Sequence, residues 1–288
     1  MEQLETLHKK IRTAGELHAV VRTMKAMAAV NIRQFEAAAR SLALYREVVD
    51  SGWQTFFRFR GRLPQKKRPH AAILLLIGSD QGMCGSFNDA VIQESRAVVR
   101  SLRQKKCQVI FWTVGERVVH LLGPESSSFH FSVANTTSAI IDNTWAIVRA
   151  FESWRGKHGV DILHVLWNRP VHPIGFTQKT AQILPLDQHW QKQLRTKWPS
   201  RCLPLEGLAE KDLFHQLFLE HLFVSIGLPL VQSLAAENGA RLMAMQAAEK
   251  NISEMSDDLK AKYRAVRQEN ITEELFDVIA GFEAMERT

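Results

Sequence analysis

The two ends of this chain carry apolar residues at helical spacing over unusually long stretches, and together they constrain the fold more than any local motif. Near the start, Leu17, Val21, Met24, Ala28, Ile32, Phe35, Ala39 and Leu42 recur at steps of three or four. Near the end, Met245, Ala248, Ile252, Met255, Leu259, Tyr263 and Val266 do the same, and Leu275, Val278, Phe282 and Met285 carry the stripe onward. Residues so spaced line one side of a helix, and an apolar stripe requires a partner. Neither stripe contains a proline. The pattern predicts two long helices, distant in sequence, that meet as one antiparallel coiled coil.

Charge narrows the partners. The 288 residues carry a formal charge of +7 and a sequence pI near 9.4, which points to an acidic protein surface, nucleic acid or anionic lipid headgroups. Cys84, Cys107 and Cys202 form no CxxC pair and leave an odd thiol over, the usage of a reduced, cytosolic protein. Glu2 and Glu5 interrupt the start, so no secretory signal is expected. The stretch from Leu217 to Val231 is broken by Glu220, His221 and Pro229 and falls short of the roughly 20 residues of a membrane span. Membrane association is therefore expected to be indirect.

Between the ends the period changes. A helix is predicted over residues 1–57, followed by a basic, proline-flanked linker: Arg58, Arg60, Arg62, Pro64, Lys66, Lys67, Arg68 and Pro69. Residues 70–187 then alternate strand-like and helix-like segments. The apolar run Ala71–Ile77 reads as a buried parallel strand, and Gln108–Val114 and Val160–Trp167 as further strands. Helical spacing occupies Phe87–Lys106, Glu116–Leu122 and Ser138–Lys157, and Phe176–Leu186 reads as a last extended segment. This alternation predicts a small Rossmann-like α/β domain with a parallel sheet. Residues 188–210 read as a loop, and 211–287 as the second long helix, paired with 1–57.

The sharpest local motif is the turn Gly78–Asn88, with Gly78, Asp80, Gly82, Cys84, Gly85 and Asn88 as its marked positions. It follows a strand and opens a helix, where phosphate-cradling loops sit. A P-loop, however, needs a lysine after its last glycine, and here Ser86 follows Gly85. The dinucleotide fingerprint GxGxxG fails as well. The plainer reading is a tight strand-to-helix turn in which Asp80 or Ser86 satisfies amides at the helix start. Cys84 reads as a small structural residue and His164 as a satisfied core histidine. No histidine pair shows metal-ligand spacing, and no nucleophile–base set stands out. No catalytic residue, cofactor or metal is assigned.

In combination, these segments resemble the gamma subunit of F-type ATP synthases. The resemblance rests on Val20 to Ala29 in the front helix, with Met24 and Lys25, on the turn Gly78–Asn88, and on Glu237 to Met245 with Ala247 and Ala248 behind. It continues over Arg267 to Leu275. Gly78 and Gln81 stand where that family usually has threonine and arginine, and Gly239 where alanine is common. The resemblance implies a rotor shaft whose coiled coil enters a ring of alpha and beta subunits. Its α/β domain would grip the epsilon subunit and the membrane ring of c subunits, with no direct span and no nucleic acid. Such a chain catalyses nothing itself. It couples proton or sodium flow to conformational change at the beta-subunit sites, on the cytoplasmic face of a bacterial plasma membrane. Met24, Lys25, Arg241, Gln268 and Thr272 match positions that contact the beta subunits.

Two other readings compete. One is a nucleotide-binding α/β enzyme whose end helices form a dimerisation stalk. The other is an adaptor that holds nucleic acid through its basic linker, with Phe56, Phe57 and Phe59 as stacking candidates.

Overall fold

The computed structural model describes residues 2–60, 70–123, 128–134, 136–172, 174–187, 190–191, 194, 204 and 207–286. The basic linker from 61 to 69, most of the expected loop at 188–210, including Cys202, and the side chains of Phe59, Arg60 and Phe282 lie outside this description. The elements are α1 (Glu2–Arg60), β1 (Ala71–Ile77), α2 (Phe87–Gln104), β2 (Gln108–Val114) and α3 (Glu116–Leu122). They continue with β3 (Phe129–Phe131), α4 (Thr137–His158), β4 (Val160–Pro170), β5 (Phe176–Leu184) and α5 (Glu210–Glu286). Two compact units result: Met1–Met27 with Leu242–Thr288, and Ala28–Arg241. The division falls inside both long helices.

The larger unit is built on a five-stranded sheet of order β3-β2-β1-β4-β5. β1 takes the centre because all seven of its residues are apolar and bury on both faces. It pairs in parallel with β2 (Ala71↔Gln108 to Ile77↔Val114) and with β4 (Ala72↔Ile162 to Leu76↔Leu166). β3, which the sequence pattern does not reveal, adds three parallel residues beside Trp112–Val114. β5 departs from the parallel sheet expected: it runs antiparallel to β4, from Pro170↔Phe176 to Leu163↔Leu184. The reason is length. Residues 171–175 suffice for a hairpin, whereas a parallel return needs a crossover of a dozen residues or more.

The two-residue period of β1 divides the core. Leu74 and Leu76 face α2 and α3, meeting Val91, Ile92, Val99, Val118 and Leu122. Ile73, Leu75 and Ile77 face the other way, toward Ile147, Val148 and Phe151 of α4. Onto this second face pack Val49, Trp53, Phe56 and Phe57 of α1 and Leu222, Ile226 and Leu230 of α5. Trp53, fully buried, stacks on Phe57 with centroids 5.3 Å apart and meets Phe56, Trp190, Phe214 and His221 edge-on. α4 is fixed at both ends. Thr136 Oγ1 accepts the amide of Ala139 at 3.2 Å, and Gly159 closes the helix at φ 62°.

That burial also explains the composition of α5. The helix is long and apolar enough in one window to cross a membrane, more than the stretch Leu217–Val231 alone suggested, yet 72% of that window is buried inside the chain. Its hydrophobicity belongs to a core helix.

In the smaller unit, residues of α1 run antiparallel to residues of α5. His8 lies beside Tyr263, with rings 6.1 Å apart, while His18 and Lys25 both reach Glu249. Among the described residues the buried positions there are few: Ala14, Val21 and Met245. Along α1 the buried residues Ala14, Val21, Ala28 and Phe35 recur every seven, the repeat of a coiled-coil seam. Several expected stripe residues are exposed instead, namely Leu17, Met255, Leu275, Val278 and Met285. For the last three the reason is register. His8 already lies opposite Tyr263, so α1 reaches its start while α5 continues to Glu286.

Candidate functional site

Two places carry the candidate residues: the turn after β1, and the surfaces of the long helices.

The turn is closed by its own polar groups. Asn88, in the first turn of α2, accepts the Ser79 amide on Oδ1 at 2.9 Å and donates from Nδ2 to Ser79 Oγ at 2.9 Å. Ser79 Oγ in turn donates to the Gln81 carbonyl at 2.8 Å. Cys84 Sγ sits 3.6 Å from both Ser79 Oγ and Asn88 Nδ2. Asp80 points the other way and ties two neighbours down, since its carboxylate oxygens accept the amides of Glu116 at 3.0 Å and Val133 at 2.9 Å. Gly78 must be glycine for want of space. A Cβ there would lie 2.0 Å from Val118 Cγ2 and 2.6 Å from Asn88 Oδ1. Gly82 and Gly85 complete the loop, Gly85 at φ 60°.

Such a turn is ill-suited to phosphate. The Ser79 and Asn88 side chains are spent on one another, and the Asp80 carboxylate at the start of the loop would repel an anion. Cys84 is buried, and that burial pushes its thiol pKa up, away from the reactive thiolate. Among the described residues, no group of three or more His, Cys, Asp or Glu is placed to hold a metal. The turn does have a second role in packing: Cys84 and Phe87 press against Ala236 and Ala240 of α5.

Directly after Ala240 comes Arg241. Its Nη2 donates to Glu237 Oε1 at 2.6 Å, and both side chains are nearly buried, at 11% and 7% exposure. Burial pushes the Glu237 carboxyl up; Arg241 draws it back only in part, and the neighbouring Asp80 charge adds to the rise. Glu237 Oε2 and Arg241 Nε are buried without a partner, so each ion keeps an unspent hydrogen-bonding atom. Arg241 is thus held by its own helix. The Glu–Arg spacing of four residues on one helix is the signal that identifies the pair.

Met24 and Lys25 are half-buried in the smaller unit, and Lys25 Nζ donates to Glu249 Oε2. That contact lowers the Glu249 pKa, with His18 and Arg22 adding to it. The sequence gives no sign of this partner, because 224 residues separate the two. Gln268 and Thr272 sit one turn apart on α5, both exposed, and Thr272 Oγ1 donates to the Gln268 carbonyl at 2.9 Å. The Gln268 side chain therefore stands open to solvent. The core histidine expected in β4 also differs: His164 is half-buried, its Nδ1 lacks a partner, and burial together with Lys105 lowers its pKa.

The family model described as ATP synthase matches residues 3–285 of the chain. An ATP synthase gamma chain from Geobacter metallireducens is 26% identical over 291 residues, covering 99% of each protein. One from Nitratiruptor sp. is 24% identical over 298 residues, covering 99% of this chain and all of the relative. Among solved structures, the rotor of the Euglena gracilis mitochondrial ATP synthase superposes with a TM-score of 0.62 at 14% identity, over 94% of this chain and 99% of that one. In a second structure of that synthase, covering OSCP, F1 and c-ring, a chain reaches 0.65 at 17% identity, over 99% of this chain and 95% of that one.

Proposed function

Since the chain belongs to the ATP synthase family, we propose that it is the central rotor shaft, the gamma subunit, of a rotary F-type enzyme. The whole-length family match over residues 3–285 carries the reading. In this role the chain performs no chemistry. Nucleotides turn over on the beta subunits of a surrounding alpha–beta ring, and the two-helix unit presents a different side to each of them as it turns. The larger unit holds the epsilon subunit and the membrane ring of c subunits, whose proton or sodium flow drives rotation. The complex sits on the cytoplasmic face of a bacterial plasma membrane, with this chain peripheral to it.

The energetics require many contacts. Rotation changes site affinity only through contact energy that differs between orientations. Switching one site from almost wholly one state to almost wholly the other takes about 5.5 kcal/mol, and an exposed ion pair supplies about 1 kcal/mol at most. Met24, Lys25, Arg241, Gln268 and Thr272 are the contacts we assign to the beta subunits. The exposed apolar side chains of α5 (Ile271, Leu275, Phe276, Val278 and Ile279) add surface of the kind a protein sleeve would bury.

Co-expression with alpha and beta subunits tests the reading. The expected result is a stable complex containing fewer copies of this chain than of alpha or beta, whose ATPase depends on it. A chain that stays alone and binds ATP or NAD at Gly78–Asn88 would replace the shaft with the nucleotide-binding enzyme.

A further inference from the structure

A cleft of about 220 Å³ opens where α1, α5 and the β4–β5 hairpin meet, and the shaft reading leaves it without a role. Its walls are largely apolar and aromatic. Trp167 of β4, Trp190 and Leu228 of α5 line it and are only half-buried, so their side chains stand open to whatever enters. The Trp190 ring lies 4.9 Å from that of His221, which continues the aromatic wall inward.

Three polar side chains converge on the same space: Arg46 of α1, and His221 and Ser225 of α5. His221 and Ser225 are one turn apart and only 8% and 5% exposed. Among the described residues none of the three has a hydrogen bond or an ion pair. Burial and the Arg46 charge lower the His221 pKa to about 4, so near neutral pH its ring is uncharged and one nitrogen carries a hydrogen. Each of the three can therefore donate. Two carboxylates lie close by, and both are engaged: Asp50 accepts the indole N–H of Trp190, and Asp187 has a contact of its own. Water ordinarily fills a surface cleft. It can bond these donors, but it gains nothing from the indole faces beside them.

We infer that this cleft binds a small aromatic carboxylate. Its ring lies against Trp167 and Trp190, and its carboxylate accepts from Ser225 Oγ, the His221 ring N–H and the Arg46 guanidinium. Apolar walls supply the contact area and a few polar groups fix the orientation, the usual division in a ligand site. Size sets the class: an apolar cavity of about 150 Å³ holds benzene, so 220 Å³ has room for about nine non-hydrogen atoms, one ring with its carboxylate.

The inference is independent of the shaft reading and needs only the full chain. The probe is benzoate, followed at neutral pH by saturation-transfer NMR. Transfer to its ring protons should appear, with a Kd of about 1 mM or lower. His221→Phe keeps the ring while removing its nitrogens, and should raise that Kd about tenfold. Arg46→Glu, at an exposed position, should raise it about fivefold. Benzamide, of the same size but uncharged, should bind at least fivefold more weakly than benzoate. Circular dichroism checks folding, and should His221→Phe unfold the chain, Arg46→Glu and the benzamide comparison decide alone. No transfer at about 10 mM benzoate would overturn the inference, as would equal Kd values for wild type and Arg46→Glu. Benzamide binding as tightly as benzoate would overturn it too, because the carboxylate would then play no part.

Discussion

The same two helices lead opposite lives at their two ends. Within Ala28–Arg241 they present large aromatic and branched side chains to a sheet, and Trp53, Phe56, Phe57, Leu222 and Ile226 are buried there. Within the other unit their buried residues are Ala14, Val21 and Met245, while Ile271, Phe276 and Val278 stand more than half exposed. One region spends its hydrophobic surface on its own fold, and in the shaft reading proposed above the other keeps it for the beta subunits. On that reading stability and function fall to different stretches of the same elements.

The contrast is most open to attack at Trp53. Trp53→Ala should cost about 3–5 kcal/mol, the usual penalty for emptying a large aromatic site in a core. Urea unfolding of the full chain followed by circular dichroism measures it, and a loss below about 1 kcal/mol would mean that the aromatic cluster does not anchor this unit.

Acid should weaken the same region. His221 is buried beside Trp53 and Trp190, and burial together with Arg46 lowers its pKa to about 4. Between pH 6.5 and about 4 the unfolded chain therefore takes up a proton that the folded chain refuses, and stability falls with pH across that window. The loss amounts to roughly 3 kcal/mol once the lower limit is passed. Asp50 and Glu237, pushed up by burial, act in the opposite sense, because the folded chain accepts their protons first. The difference between wild type and His221→Gln isolates the histidine. Parallel pH profiles for the two would discount it.

Next in size is Asp80→Ala, expected to cost about 2 kcal/mol by stranding the amides of Glu116 and Val133. Hydrogen exchange should speed up at those two amides first. Unchanged protection there would show that water replaces the carboxylate without loss.

How much of this was readable beforehand depends on the range over which each signal acts. The seams, the central strand and the turn follow from local periodicity, and they were legible. β3 was not, because three residues carry no period. The direction of β5 was readable in principle from the five residues that precede it, a length argument that the strand–helix alternation masked. Among candidate site residues, Gln268 and Thr272 stand exposed, whereas Arg241 is tied to Glu237 and Lys25 to Glu249. Helical spacing reveals the first pair. The second requires the antiparallel register, which no local window contains.

The smallest effect on folding should come from the residues placed nearest to function. Gln268 and Thr272 are exposed, and the bond between them, from Thr272 Oγ1 to the Gln268 carbonyl, lies within a single helix. Gln268→Ala with Thr272→Ala should therefore move stability by no more than about 0.5 kcal/mol. In the assembled enzyme the same change should weaken ATP-driven ion pumping, because it trims contact energy that differs between orientations of the shaft. Pumping at the wild-type rate would remove these two residues from the coupling surface while leaving the apolar side chains of α5 to carry it. A large loss of stability would cut deeper. It would mean that the end of α5 spends its side chains on its own fold after all, and the division between the two regions would fail.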